Sequence, residues 1–286
     1  MSAYPKSAIR SKRSGQPAVN MREVIGYSRL VVSTFVAGGV MLMLLLTGCT
    51  KGEEPRYRGR PVSEWVDLLG NYKAPQSDRG RALLAVRAIG TNTVPFLLDQ
   101  VWRSETLSGF RRSGVVEAFK ALGSAATPAV PTLSQIVSQT DRTMADVGVS
   151  HEATASGSGV RRASPFARYW ALRSLKELGT NAHRAVPAML SALRSSEDYN
   201  IAFEAARGAA KCALKREEVL PFLMTNLVEG STVCQWASAW GLEALGSGAK
   251  EAVSPLRMLL GHTNPIVCQA ASNALASIEG GRWGGR

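Results

Sequence analysis

The chain has 286 residues, 45% of them apolar and 7% aromatic, with a formal charge of +12. This is the composition of one Ala- and Leu-rich helical domain with a leader and a linker, and it requires no second domain. Residues 1–48 hold 6 Lys or Arg and 1 acid, so the remainder carries 28 Lys or Arg against 21 Asp or Glu, a net +7. That balance favours anionic headgroups, acidic glycans or acidic proteins as partners. Nucleic acid is set aside, because no nucleic-acid fold signature is present and the N-terminal segment reads as an export leader.

Leu30 to Leu46 is an uncharged, mostly apolar run preceded by Arg22 and Arg29 and followed by Thr47, Gly48 and Cys49. A positive segment, an apolar segment and a small-residue junction describe an export signal over 1–48. A start at Met21 would leave a leader of ordinary proportions. The competing reading is an uncleaved membrane helix, for which these 17 residues are the bottom of the spanning range and Gly38-Gly39 a weakness. Residues 49–60 read as a polar tether. Pro61 then opens a short helix with Trp65, Leu68 and Leu69 on one face and Gly70 at its end, and the segment 61–78 is expected to cap the open end of a repeat array.

From residue 79 to 280 a period governs the chain. Pro187, Pro221 and Pro255 are 34 residues apart and Pro95 precedes Pro131 by 36. In one copy Ala171, Leu172, Leu175 and Leu178 recur at helical spacing up to Gly179, and after Pro187 comes a second stripe of Met189, Leu190 and Leu193. Each unit is therefore helix, turn, helix, with the Gly in a left-handed conformation and the Pro in a first turn that needs no amide hydrogen. Ala118, Phe119, Leu122 and Gly123 lead to Pro131 in the same way, as Leu242, Leu245 and Gly246 lead to Pro255. Val233-Cys234-Gln235 returns as Val267-Cys268-Gln269. The fourth copy has Ala213 where the Gly is expected. Pro131 and Pro187 are 56 residues apart, which leaves a Ser-, Gly-, Ala- and Thr-rich insert at 141–162, expected to be a mobile edge loop, and 281–286 reads as a flexible tail.

This grammar resembles HEAT repeats of the bacterial lipoprotein type, five copies and a half. The resemblance implies an all-α, right-handed α-solenoid, armadillo-like in class, that works by binding a protein rather than by catalysis. Leu46-Thr47-Gly48-Cys49 resembles a lipobox, which implies that Cys49 carries a diacylglycerol and becomes the first residue, holding the protein to a lipid bilayer of the bacterial cell envelope. Thr50 and Lys51 supply no acidic retention signal, which by resemblance favours the outer membrane. Helical repeats of this kind also occur in bilin lyases, so a chromophore-handling lyase stands as the alternative function, beside a membrane-spanning adaptor with an intact leader.

Catalytic constellations are sparse. His151, His183 and His262 lack neighbours at metal-ligand spacing, no Ser sits in a nucleophile elbow and no phosphate loop is present, so neither metal nor cofactor is expected. Cys212 takes the place of the Leu before the turn and reads as a small buried hydrophobe. Cys234 and Cys268 occupy equivalent places in stacked copies and are too far apart to bridge. One surface feature stands out. The third residue before the turn Gly is charged in four copies, as Arg87, Lys120, Lys176 and Glu243, which marks a solvent-facing line. Residues six and ten before the Gly share it, and they are Arg173 and Tyr169 in the third copy and Trp240 and Trp236 in the fifth. These four residues are the candidate partner-binding strip. The opposing reading packs the aromatics against the adjoining copy.

Overall fold

The computed structural model describes residues 54–139 and 162–280. The leader, Cys49, residues 141–161 of the insert and the tail lie outside the described residues.

Residues 56–60, which read as tether, are ordered into a hairpin with Pro61. Strand β1 (Arg56–Tyr57) pairs antiparallel with β2 (Arg60–Pro61) around Arg58 and Gly59, both at positive φ, the pattern of a two-residue type I′ hairpin. The hairpin folds back on helix α1 (Val62–Gly70). Pro61 at the N-cap has no hydroxyl or carboxylate to offer the first turn, so the Glu54 carboxylate accepts from the Ser63 amide, and the Pro55 carbonyl accepts from Val62 at 2.8 Å. Tyr57 meets the edge of Trp65 at 6.3 Å between centroids.

Helical hairpins come next: α2 (Gln76–Ile89) and α3 (Val94–Trp102), α4 (Gly109–Leu122) and α5 (Val130–Ser138), α6 (Pro165–Leu178) and α7 (Val186–Ser195), α8 (Tyr199–Cys212) and α9 (Leu220–Glu229), α10 (Thr232–Leu245) and α11 (Val253–Leu259). The half copy is α12 (Pro265–Ile278). The first helix of every copy is 14 residues long. These first helices pack side by side in one layer, and each second helix leans on the first helix of the next copy. Ser108, Ser164, Asp198, Ser231 and Asn264 cap the first helices of the second copy onward by accepting from first-turn amides. The described residues thus form an all-α solenoid of helical hairpins.

The turn glycines have positive φ, but not in the left-handed helical region. Gly90, Gly123, Gly179 and Gly246 have φ 54 to 65° with ψ −122 to −138°, the mirror image of the extended region. Asn tolerates the left-handed helical region, whereas this one is open to glycine alone. Ala213 cannot adopt it, and α8 instead ends in an extended residue (φ −60°, ψ 138°) leading to a single 3₁₀ turn at Arg216–Glu218. Elsewhere the linker is a longer 3₁₀ segment that buries an Ala pair in each of three copies: Ala126 and Ala129, Ala182 and Ala185, Ala249 and Ala252.

Small residues set how closely the first-helix layer packs. Ala118, Ala171, Ala205, Ala206, Ala237 and Ala271 are wholly buried, while the second helices supply the bulk, through Leu97, Leu133, Met189, Leu223 and Leu256. Helix α1 joins this layer and does not merely close the end of the first copy. It packs at least as closely on α4 as on α2, with Gly70 and Gly114 meeting backbone to backbone and Asp67 receiving both Nε and a terminal nitrogen of Arg111.

Cys212, Cys234 and Cys268 are free thiols. Cys212 is wholly buried, donates from Sγ to the Leu175 carbonyl at 3.3 Å, and its thiol is pushed by burial up to about 12. A thiol whose pKa is raised on folding stabilises fully below its unfolded pKa of about 8.5, and loses that contribution as pH climbs to 12, at about 1.4 kcal/mol per pH unit. The urea midpoint should therefore fall between about pH 9 and 11, and fall less in Cys212→Ala. Equal alkaline slopes would contradict the assignment.

Candidate interaction surface

The four strip residues all lie half-buried on the first-helix layer. They form two pairs in contact: the Arg173 guanidinium lies 5.8 Å over the Tyr169 ring, and Trp236 meets Trp240 at 6.4 Å. The pairs do not touch each other. Between them stands α8, whose Phe203 lies 5.6 Å from both Trp236 and Trp240 and whose Tyr199 meets Trp236 at 5.2 Å. Arg207 stacks on Phe203 at 5.3 Å and reaches Glu243 at 3.5 Å. Counting back from the turn Gly hides this middle column, because the fourth copy has no Gly. Counting forward from the N-caps reveals it, since the fifth residue after Ser164, Asp198 and Ser231 is Tyr169, Phe203 and Trp236, and the ninth is Arg173, Arg207 and Trp240.

The charged line is solvent-facing only in the early copies. Arg87 and Lys120 are exposed, whereas Lys176 sits in the seam to the next copy and the Glu243 carboxylate in the seam to the preceding one. Lys176 donates to Glu204 at 2.5 Å, and Glu204 is only 5% exposed. Glu177 lies 3.9 Å from Lys120 and 3.5 Å from Lys211, so charge pairing crosses three successive copies.

At the other end of the ladder Trp170 has a cation from each of two helices. Arg112 of α4 lies 5.8 Å from its ring centre and 5.6 Å from that of Phe166, and Arg173 lies 4.9 Å from Trp170. Such stacking holds a guanidinium in one orientation while leaving its edge free to donate. The six first helices carry eleven Lys or Arg against five Asp or Glu, while α3, α5, α7, α9 and α11 carry two against two. The basic excess of the stack is therefore confined to one layer.

The rest of the described surface offers less. A cavity of about 250 Å³ is lined by Arg194, Thr225, Asn226, Glu229, Gly230, Ser231 and Cys234, with cation and carboxylate balanced. His183 contacts the Thr180 carbonyl in its own turn and His262 accepts from the Asn264 amide, while His151 lies outside the described residues. Among the described residues no group of His, Cys, Asp and Glu could hold a metal, and no helix is long and apolar enough to cross a membrane.

None of the curated proteins compared matches the chain. Among solved structures, an engineered protein is similar at 19% identity with a TM-score of 0.36, over 77% of this chain and 97% of its own. A designed armadillo repeat protein in complex with the peptide (KR)4 is similar at 15% identity with a TM-score of 0.34, over 76% of this chain and 99% of its own. The family described as PBS lyase HEAT-like repeat matches residues 167–195, which is α6, its turn and α7. That hairpin is similar to the repeat of this family, and its helix, turn, helix plan recurs along the described chain from Gln76 onward.

Proposed function

We propose that this solenoid is a non-catalytic scaffold that binds a protein partner through its first-helix layer, and that it is held at a membrane of the bacterial cell envelope by lipid on Cys49. The observation that carries the binding half is the half-buried row of rings and guanidinium groups crossing α6, α8 and α10. Rigid aromatics and arginines are the residues that anchor protein interfaces. The anchoring half is supported by the leader and the Leu46-Thr47-Gly48-Cys49 junction, where more than one acyl chain would give stable attachment. The outer membrane is the favoured side, because no acidic residue stands directly after Cys49.

The intact mass of the membrane-extracted protein tests the address. A chain beginning at Cys49 with added diacylglycerol and acyl mass is expected, together with loss of that mass in Cys49→Ala. A chain that keeps residues 21–48 and carries no lipid would favour a membrane-spanning adaptor. The name of the matching family favours a second reading, a chromophore-handling lyase. A purified protein with visible-range absorbance from a held chromophore would support it over the scaffold.

A further inference from the structure

We propose that the surface around Trp170 is a receptor for carboxylates: an acidic segment of the partner lies across α4 and α6, clamped by Arg112 and Arg173, while its apolar side chains rest on the rings of α8 and α10. This rests on the scaffold function and adds the chemistry of the partner.

Both guanidinium groups stack against one indole; Arg112 meets no carboxylate among the described residues, and Arg173 has only a share of one. Arg112 donates to the Ser104 carbonyl at 3.2 Å and keeps an Nε without a hydrogen-bond partner. Arg173 Nε stands 3.8 Å from Glu204, beyond hydrogen-bond reach, and that carboxylate is already engaged by Lys176. Two like charges held within 5.8 Å of one ring centre repel, and an anion bound near both relieves that repulsion. The guanidinium fork fits a carboxylate through paired hydrogen bonds, and ring stacking fixes its orientation before binding. The charge of the whole stack points the same way, because the excess cations belong to this layer and the opposite layer is neutral.

A membrane surface is the rival occupant, since Phe166 is 50% exposed beside the clamp. The observations favour protein. The cations here are planar groups pinned to rings in a recessed row, which suits discrete carboxylates, whereas a headgroup layer is met by protruding, mobile cations.

The test is fluorescence anisotropy of a labelled octaglutamate peptide titrated with the full chain at low salt. Wild type is expected to bind, and Arg112→Gln/Arg173→Gln to bind about tenfold more weakly or worse. Arg194→Gln/Arg257→Gln, which removes the same charge from the opposite layer, is expected to stay within about twofold of wild type. Arg112→Lys/Arg173→Lys keeps the charge and the fold but not the fork, and severalfold weaker binding is expected of it too. Equal loss in the two Gln pairs, or wild-type binding by the Lys pair, would reduce the site to diffuse attraction and overturn the proposal. So would indifference to octaglutamate combined with Arg112- and Arg173-dependent capture of phosphatidylglycerol vesicles. Failure here with partner cross-links still formed from the ladder would remove the carboxylate clamp and leave the scaffold standing.

Discussion

Gly114→Ala is expected to cost about 3 kcal/mol or more, an exceptional amount for one methyl group in a helix. An added Cβ there would lie 1.9 Å from the Val66 carbonyl oxygen and 3.1 Å from the Gly70 amide nitrogen. Both obstacles are backbone, so no side chain can swing aside. The helices must separate by more than about 1 Å, which uncovers Val62, Trp65, Val66 and Leu69 on α1 and strains the Asp67–Arg111 pair. Gly80→Ala is the control, because a Cβ at Gly80 meets nothing within 4 Å and a helical Gly→Ala change is stabilising by about 0.5–1 kcal/mol. Urea midpoints of the two variants should therefore move in opposite directions. A Gly114→Ala midpoint within error of wild type would show that α1 is not part of the first-helix layer.

Glu204→Ala should rank second, at about 2–3 kcal/mol. The carboxylate is 5% exposed and serves two cations, Lys176 at 2.5 Å and Arg173 at 3.8 Å. Its removal leaves the Lys176 ammonium, with 18% of its side chain exposed, facing Arg173 across the seam. The loss is that of a stranded charge and not of a bond. Arg173 is 35% exposed, so part of its charge is already solvated where it lies, which holds the figure below that of a fully enclosed pair. Glu204→Leu/Lys176→Met removes both charges, and its stability should return to within about 1 kcal/mol of wild type. A double variant no better than the single one would mean that Glu204 acts through packing alone.

The parts of this molecule written in the sequence are those fixed by local chemistry. Gly and Pro mark the two ends of each turn, and the second helices begin where Pro95, Pro131, Pro187 and Pro221 require. The φ sign of the turn glycines is also legible, but their ψ is not, because the tight 3₁₀ turn that follows selects the mirror-extended conformation, in the first copy as in the three that bury an Ala pair. The seat of α1 is hidden for another reason. Gly70 reads as a helix stop and Gly114 as a weak spot in a helix, and only their meeting in space gives both a purpose. The ladder is half legible. Tyr169, Arg173, Trp236 and Trp240 emerge from the turn glycines, whereas Phe203 and Arg207 disappear where Ala213 replaces the Gly, and return once Asp198 is recognised as a cap. Trp170 and Arg112 lie in neither of these two columns, and no spacing rule joins them.

The central claim is that the first-helix layer is the partner face, and site-specific photo-cross-linking in intact cells tests it most directly. A photoreactive residue is placed at Tyr169 or Trp236, and for comparison at Met258, which is 69% exposed on α11. The account predicts one discrete adduct, of the same mass from both first-helix positions and absent from Met258. No adduct from Tyr169 and Trp236, or the same adduct from all three positions, would contradict it.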